Sequence, residues 1–504
     1  MEYLVVLEVS QKQAYIFKTN RLAENIGASI IIRDITENIS EQIAENFFGE
    51  KVLSGGGKSV YAFSNEERAR DFTKGISTHV LLKYPGVELF LATYAYDEED
   101  ESIIDAINSL YGKLEQKKSG RESSFKVFDL GMGILCDSTG LPAVTQEKKS
   151  NRYLSAESQI KVQVAAKEQD EIFRELLPDS TKYRFAKEFK ELGVSKNVKD
   201  YIGIIAMDGN KMGKKIEKVR NEFKELHPVV NKQFNMDYKT AMCAMSRDID
   251  QAYKKAVKSA IWSLTENLER LKKKKLNIVE DGSKTVLPIR PLILAGDDIC
   301  LVTDARIAIS FARLILENIE KITEDDIPAL HGQQMRACGG IALVKEKYPF
   351  FRGQELAEEL CSKAKSIIEE DEDVSVLDFH VVQGEIEGSI TEIRMNKYNQ
   401  STLTSKPYYI HDYKNASNCF SVFDAHMKNI TSENMGRGTM KQYRDALMQG
   451  EQAARLYVTH KRLDRTNTKN VDKKLKFDSY INGKCIDFDV IEVMDMYLQV
   501  EDKK

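Results

Sequence analysis

The chain has 504 residues, 42% of them hydrophobic and 30% charged, with a formal net charge of −4. Such a length exceeds what one core supports and divides into about three or four domains, and the near-balanced charge argues against a surface dominated by nucleic acid, leaving room only for local basic patches. No stretch reaches the ~20 apolar residues of a membrane span, the start MEYLVVLEVSQ places acids where a secretory signal needs bases, and the seven cysteines lack any CxxC spacing, so a cytoplasmic protein without a zinc or disulfide framework is expected.

In chain order, residues 2–10 read as a strand and 20–48 as helical, with a Gly27-Ala28-Ser29 patch suited to close packing. KVLSGGGKSVYAF (51–63) gives two strands around Gly55-Gly56-Gly57, followed by a helix near 65–82, a strand VELFLATYAY, a helix near 101–117 and a strand near 125–135. This β-α-β-β-α-β order is ferredoxin-like. The GGGKS string is not a phosphate-binding P-loop, because Val52 stands where the first glycine is required and the string joins two strands instead of opening a helix. Residues 136–198 are polar and rich in Lys and Glu, with a turn at Cys136, Gly140 and Pro142, and read as a helical linker.

The same plan returns after residue 199. Strand 201–208 leads to a helix over 211–226, an inserted helix near 238–275, a hairpin 290–303, and then helix, strand, helix, strand to about 382. The strand YIGIIAMD ends in Asp208, and the hairpin RPLILAGDDICLVTD carries Gly296-Asp297-Asp298 at its tip. Unpaired carboxylates in apolar surroundings are costly, so Asp208, Asp297 and Asp298 point to a two-metal centre holding Mg²⁺ or Mn²⁺, as in polymerases. The helix start near Gly209, Asn210, Met212 and Gly213 offers amides to phosphate oxygens, with Lys214 close by. Placed on the second copy, Gly55-Gly56-Gly57 falls about where Gly296-Asp297-Asp298 sits. One copy is then catalytic and the other degenerate, its glycines walling a nucleotide pocket. After SKPYYI (405–410) the chain reads as a helical bundle. The fold class is α+β: a degenerate ferredoxin-like domain over 1–135, a helical linker over 136–198, a catalytic ferredoxin-like domain over 199–400 and a helical C-terminal domain over 401–504.

LPIRPLILAGDD (287–298), MDGNKMGK (207–214), GGIALVKEKYPF (339–350) with AEELCSKAK (357–365), SKPYY (405–409), QKQAYIFKTNRLAENIGAS (11–29) and SGGGKS (54–59) together resemble the large, polymerase-like, double-palm subunit of type III CRISPR effector complexes. The resemblance implies two palms, ATP as substrate, and cyclic oligoadenylate or a cyclic dinucleotide as product. The implied partners are nucleoside triphosphates, guide RNA and other CRISPR effector subunits, with a homo-oligomer left open. Lys365 matches a family lysine that reaches the triphosphate, or else is a plain helix-surface cation, and Ser246 and Asp250 on the inserted helix are further pocket candidates. Departures from the family are Ala295 for the first glycine of GGDD and Asn210 for an acid. The family's zinc cysteines reduce to Cys136, and the chain starts at the palm without an HD nuclease, so no DNase activity is expected. A non-catalytic scaffold of an RNA-guided complex and an ATP-binding sensor remain as alternatives.

Overall fold

The computed structural model describes residues 1–501 apart from 56, 121–130, 132, 149, 193–199, 385–387, 398–402, 415, 432–435, 464–479 and 482. Gly56 and most of the strand expected near 125–135 lie outside the described residues. The first half opens with β1 (Glu2–Ser10) and α1 (Leu22–Arg33), continues through β2 (Glu50–Gly55), β3 (Lys58–Phe63), α2 (Glu66–Lys83) and β4 (Glu88–Tyr96), and adds α3 (Ile103–Ser119). Its sheet runs β2-β3-β1-β4, with β1 antiparallel to both β3 and β4. Apolar–polar alternation is absent from the middle of β1, where Leu4, Val5, Val6 and Leu7 are all buried, because this central strand is covered on both faces.

The linking segment is less helical than its Lys- and Glu-rich composition suggests. A short hairpin, Thr145–Gln146 with Tyr153–Leu154, precedes its one α-helix among the described residues, α4 (Ala156–Glu168), and a three-residue strand Tyr183–Phe185 follows. Gly140, with φ +67°, and Asn151, with φ +56°, turn the chain where continued helix would be needed. α4 packs directly on α1: a Cβ at Gly27 would lie 1.9 Å from the Lys161 carbonyl oxygen, so the small patch is a helix contact. Glu24, fully buried on α1, is satisfied by Arg152 at 3.0 Å, Ser138 and Ser158.

The second half repeats the plan with β5 (Tyr201–Gly209), α5 (Met212–Leu226), the long inserted α6 (Lys232–Glu266), β6 (Ile289–Ala295), β7 (Asp298–Asp304), α7 (Ala305–Ile319), β8 (Ala337–Lys345), α8 (Phe350–Ser366) and β9 (Val376–Val381). Its sheet runs β6-β7-β5-β8-β9 and is extended by β10 (Tyr408–Tyr409). The first four strands therefore stand in the same order as the first sheet. A Cβ at Gly340 on β8 would lie 2.0 Å from the Ala357 carbonyl oxygen of α8, and this close approach presses α8 onto the sheet.

Strand register corrects the expected superposition by one residue. Gly55↔Lys58 closes the first hairpin and Ala295↔Asp298 closes the second, so Gly55 matches Ala295, Gly57 matches Asp297 and Lys58 matches Asp298. The shared glycine string is a turn requirement, met at Gly57 with φ +86° in one hairpin and at Gly296 with φ +63° in the other.

Beyond β10 lie α9 (Phe420–Ile430), α10 (Arg437–Gln449), α11 (Glu451–Lys461) and α12 (Ile486–Val493). The SKPYY stretch fixes this bundle to the sheet edge: buried Asp489 on α12 accepts from Thr404 Oγ1 at 2.7 Å, the Ser405 amide at 2.8 Å and the Tyr408 hydroxyl at 2.7 Å, and Lys406 bridges to Glu492 at 3.1 Å. Among the described residues no helix is long and apolar enough to cross a membrane.

Candidate active site

β5 is buried along Tyr201 to Met207, and Asp208 is its one exposed residue. The adjacent hairpin brings Asp297 to the same place: a Cβ at Gly209 would lie 2.8 Å from Asp297 Cβ and 2.9 Å from Asp297 Oδ2. Asp298 stands one step beyond the Ile299↔Met207 pair, level with Asp208. Burial, then the charge of Asp208, then that of Asp298 push the Asp297 carboxyl up to about 6. Two carboxylates that share a half-buried site cannot both ionise cheaply without a cation.

Lysines attend the acids from both sides. Lys365, at the end of α8, donates to Asp208 Oδ2 and, at 3.1 Å, to the Gly209 carbonyl oxygen. Burial pulls its pKa down, yet the hydrogen bond and charge of Asp208 outweigh this and hold it above the ordinary lysine value. Lys12, from the first half of the chain, bridges to Asp298 Oδ2 at 2.9 Å while its Cδ lies 3.3 Å from where a Gly57 Cβ would be. Lys12 thus spans the gap between the two hairpins. Glu358 on α8 joins from behind, its carboxyl pushed up to about 7 by burial and then by Asp298.

One face of α6 touches both hairpins. Ser246 donates to the Ser54 carbonyl of the first, and Asp250 accepts the Gly296 amide of the second at 3.3 Å. Tyr253 follows one turn later, with its hydroxyl 2.7 Å from the Gly209 Cβ position.

The structure brings Asp208, Asp297, Gly209 and Lys365 together, with Asp298 alongside, and places the other expected residues as follows. Asn210 departs from the expected pocket role: it is 3% exposed and its amide donates to the Val374 carbonyl at 2.8 Å, so the residue that replaces a family acid turns inward to tie a loop. Lys214 leans to Glu370 at 3.3 Å. Ser246 is engaged with the first hairpin, against which Gly55 also lies, 3.6 Å from Ser246 Oγ at its Cβ position. Met212 and Gly213 open α5, whose first turn holds no acid and whose start has no side-chain cap, which leaves amides for an anion.

Among the described residues no three His, Cys, Asp or Glu side chains form a ready metal-holding cluster. Of the expected trio, Asp208 and Asp297 lie together, and Asp298 beside them is bridged to Lys12. Asp208 and Asp297 still fit a hard divalent cation, since both are oxygen donors whose mutual repulsion raises the Asp297 pKa. Lys12, Glu358 and Tyr253 lie beside the acids and are missed by sequence reasoning. Glu358 has a signal, lying seven residues before Lys365 and so on the same face of α8; Lys12 has none.

Residues 201–372 match the family model for the Cas10/Cmr2 second palm domain. The chain carries a Cas10-type second palm. The fold of nearly the whole chain recurs in solved structures: the Csm1–Csm4 cassette in complex with cA4, at 14% identity, with a TM-score of 0.51 over 99% of this chain and 70% of that one; the same cassette with AMPPNP, at 12% identity, TM-score 0.51, with 99% and 70% covered; and Csm1 in T. onnurineus, at 13% identity, TM-score 0.52, with 98% and 69% covered. No curated protein matches the chain. With this likeness, the fold is that of two palms joined and followed by helical segments.

Proposed function

We propose that this Cas10-like chain is a metal-dependent nucleotidyltransferase that joins ATP into cyclic oligoadenylate or cyclic dinucleotide second messengers for antiviral signalling. The observation that carries the reading is the convergence of Asp208 and Asp297 beside Gly209, with the Asp297 carboxyl pushed up to about 6. Packing gives no reason for such a pair. Asp208 and Asp297 would hold Mg²⁺ or Mn²⁺, with Asp298 as third acid, and the cation when bound polarises phosphoryl oxygens and acidifies a ribose hydroxyl. The chain itself supplies positioning and charge. Lys365 and Lys12 flank the acids and are placed to exchange their carboxylate partners for phosphate oxygens. The uncapped start of α5, at Met212 and Gly213, offers amides and the positive end of the helix to a polyphosphate. The Gly57 side of the first hairpin adds no side chain of its own, and Lys12 is what crosses from it to Asp298; a second nucleotide would take the place of that bridge.

The solved relatives' complexes with cA4 and AMPPNP support ATP as substrate and an oligoadenylate as product. Their assembly with Csm4 supports a role beside other effector subunits; guide RNA as a further partner rests on the sequence resemblance. The scaffold alternative has one observation in its favour, that Asp208 and Asp298 are each ion-paired to a lysine. One experiment separates the two: the purified protein, alone and with its effector partners, is incubated with each nucleoside triphosphate and Mg²⁺ or Mn²⁺, and the products are identified by mass spectrometry. A cyclic adenylate ring is the expected product. Triphosphate left unconsumed under every condition leaves the scaffold.

A further inference from the structure

We propose that Tyr253 is a positioning residue for the acid pair: its hydroxyl supplies the hydrogen bond that orients Asp297 toward a divalent cation shared with Asp208. This rests on the nucleotidyl-transfer reading and deepens it by adding a partner behind the carboxylate. Tyr253 projects from the middle of α6 and is 1% exposed, yet its hydroxyl has no hydrogen-bond partner. A buried phenol left unpaired gives up its hydration and gains nothing in return. A phenylalanine would fill the same volume without that loss, so packing accounts for the ring and not for the oxygen.

The oxygen is aimed at the acids. Tyr253 Oη and Asp297 Oδ2 lie 2.7 and 2.9 Å from one and the same point, the place a Gly209 Cβ would take. Gly209 is therefore the residue that leaves the hydroxyl room to approach the carboxylate, and any side chain there would separate them. Metal-binding carboxylates are held by such outer partners, and their removal weakens metal affinity by about 10–100-fold. Asp250, one turn earlier on α6, holds the Gly296 amide at 3.3 Å and fixes the hairpin against the same helix face, so the Tyr253 ring and the Asp297 backbone keep a set distance.

The test uses the full chain. Mn²⁺ is titrated into the parent, Tyr253→Phe and Asp297→Ala by calorimetry, with melting temperatures measured on the same samples and kcat and KM for ATP measured separately. The expected result for Tyr253→Phe is a melting temperature at or above the parent's, Mn²⁺ affinity weaker by about 10-fold, and a fall in kcat with little change in KM. Mn²⁺ affinity equal to the parent's, in a series where Asp297→Ala loses it, overturns the inference whatever the melting temperature does. A parent that binds Mn²⁺ and passes this test but joins no triphosphate overturns nucleotidyl transfer while the Tyr253 assignment stands. A parent that binds no Mn²⁺ overturns both.

Discussion

The two sheets of this chain share their first four strands in the same order, and residue-by-residue register shows what separates them. Leu7↔Ser59 and Glu8↔Lys58 in the first sheet correspond to Met207↔Ile299 and the step beyond it in the second. Glu8 thus stands where Asp208 stands, and Lys58 where Asp298 stands. In the first sheet this position is an acid facing a base, bridged at 3.1 Å. In the second it is an acid facing an acid. An acid–base pair satisfies itself; an acid pair must find cations, and the second palm takes Lys365 from its own α8 and Lys12 from the other palm. Both arrangements stand in the same strand order, so the hairpin itself does not require the acids.

The difference between the two sheets is erased most fully at the acids. Asp297→Ala or Asp208→Ala should lower product formation by about three orders of magnitude or more, about 4 kcal/mol in barrier, with the circular dichroism spectrum unchanged. Activity within about ten-fold of the parent would mean that the second hairpin is as inert as the first.

A smaller effect concerns stability. The folded-state carboxyl of Asp297 is raised, to about 6, so the folded chain holds a proton that the unfolded chain releases near 4. Stability contributed by this group is then present below about pH 4 and is lost as the pH rises through about 6. Asp297→Asn should stabilise the metal-free protein at about pH 7.5 by on the order of 1–3 kcal/mol and by little at about pH 4, as read from urea unfolding at the two pH values. An equal effect at both would show that burial and the Asp208 charge do not act on the group.

The smallest effect lies in the first sheet. Lys58→Asp recreates there the like-charge pairing of the second, and should cost about 1 kcal/mol in the absence of divalent cations. Millimolar Mn²⁺ should restore part of that loss. Urea midpoints unchanged with and without Mn²⁺ would show that matching position does not carry matching electrostatics.

What is legible in the sequence follows from range. Asp208 and the Asp297-Asp298 hairpin are visible because an apolar run ending in an acid, and a Gly-containing turn between two apolar runs, are local patterns. Close packing at Gly27 is visible for the same reason. Lys12 is not, since it meets Asp298 across 286 positions, and no local pattern marks a residue for a partner that far along the chain. Tyr253 is hidden as one more apolar position in a long amphipathic helix. Asn210 takes its apparent role from its neighbours in the string, and only the fold shows that the chain has turned inward at that residue. The glycine triplet misleads by one position because strings align on letters while hairpins align on the pair that closes them.

α6 has a consequence for tolerance to change. Ser246 meets the first hairpin, Asp250 the second, and Tyr253 the acid pair, so the helix works as a gauge block whose graduations are turns. From Ser246 to Asp250 the axis advances about 6 Å, and that interval sets how far apart the two hairpin tips are held along the helix. A one-residue deletion between them would shorten the gauge by only ~1.5 Å but would swing everything beyond it by about 100°, taking one hairpin off its seat. Substitutions along α6 should therefore be forgiven far more readily than a change in its length, and the spacing of the two hairpin tips is written in a residue count.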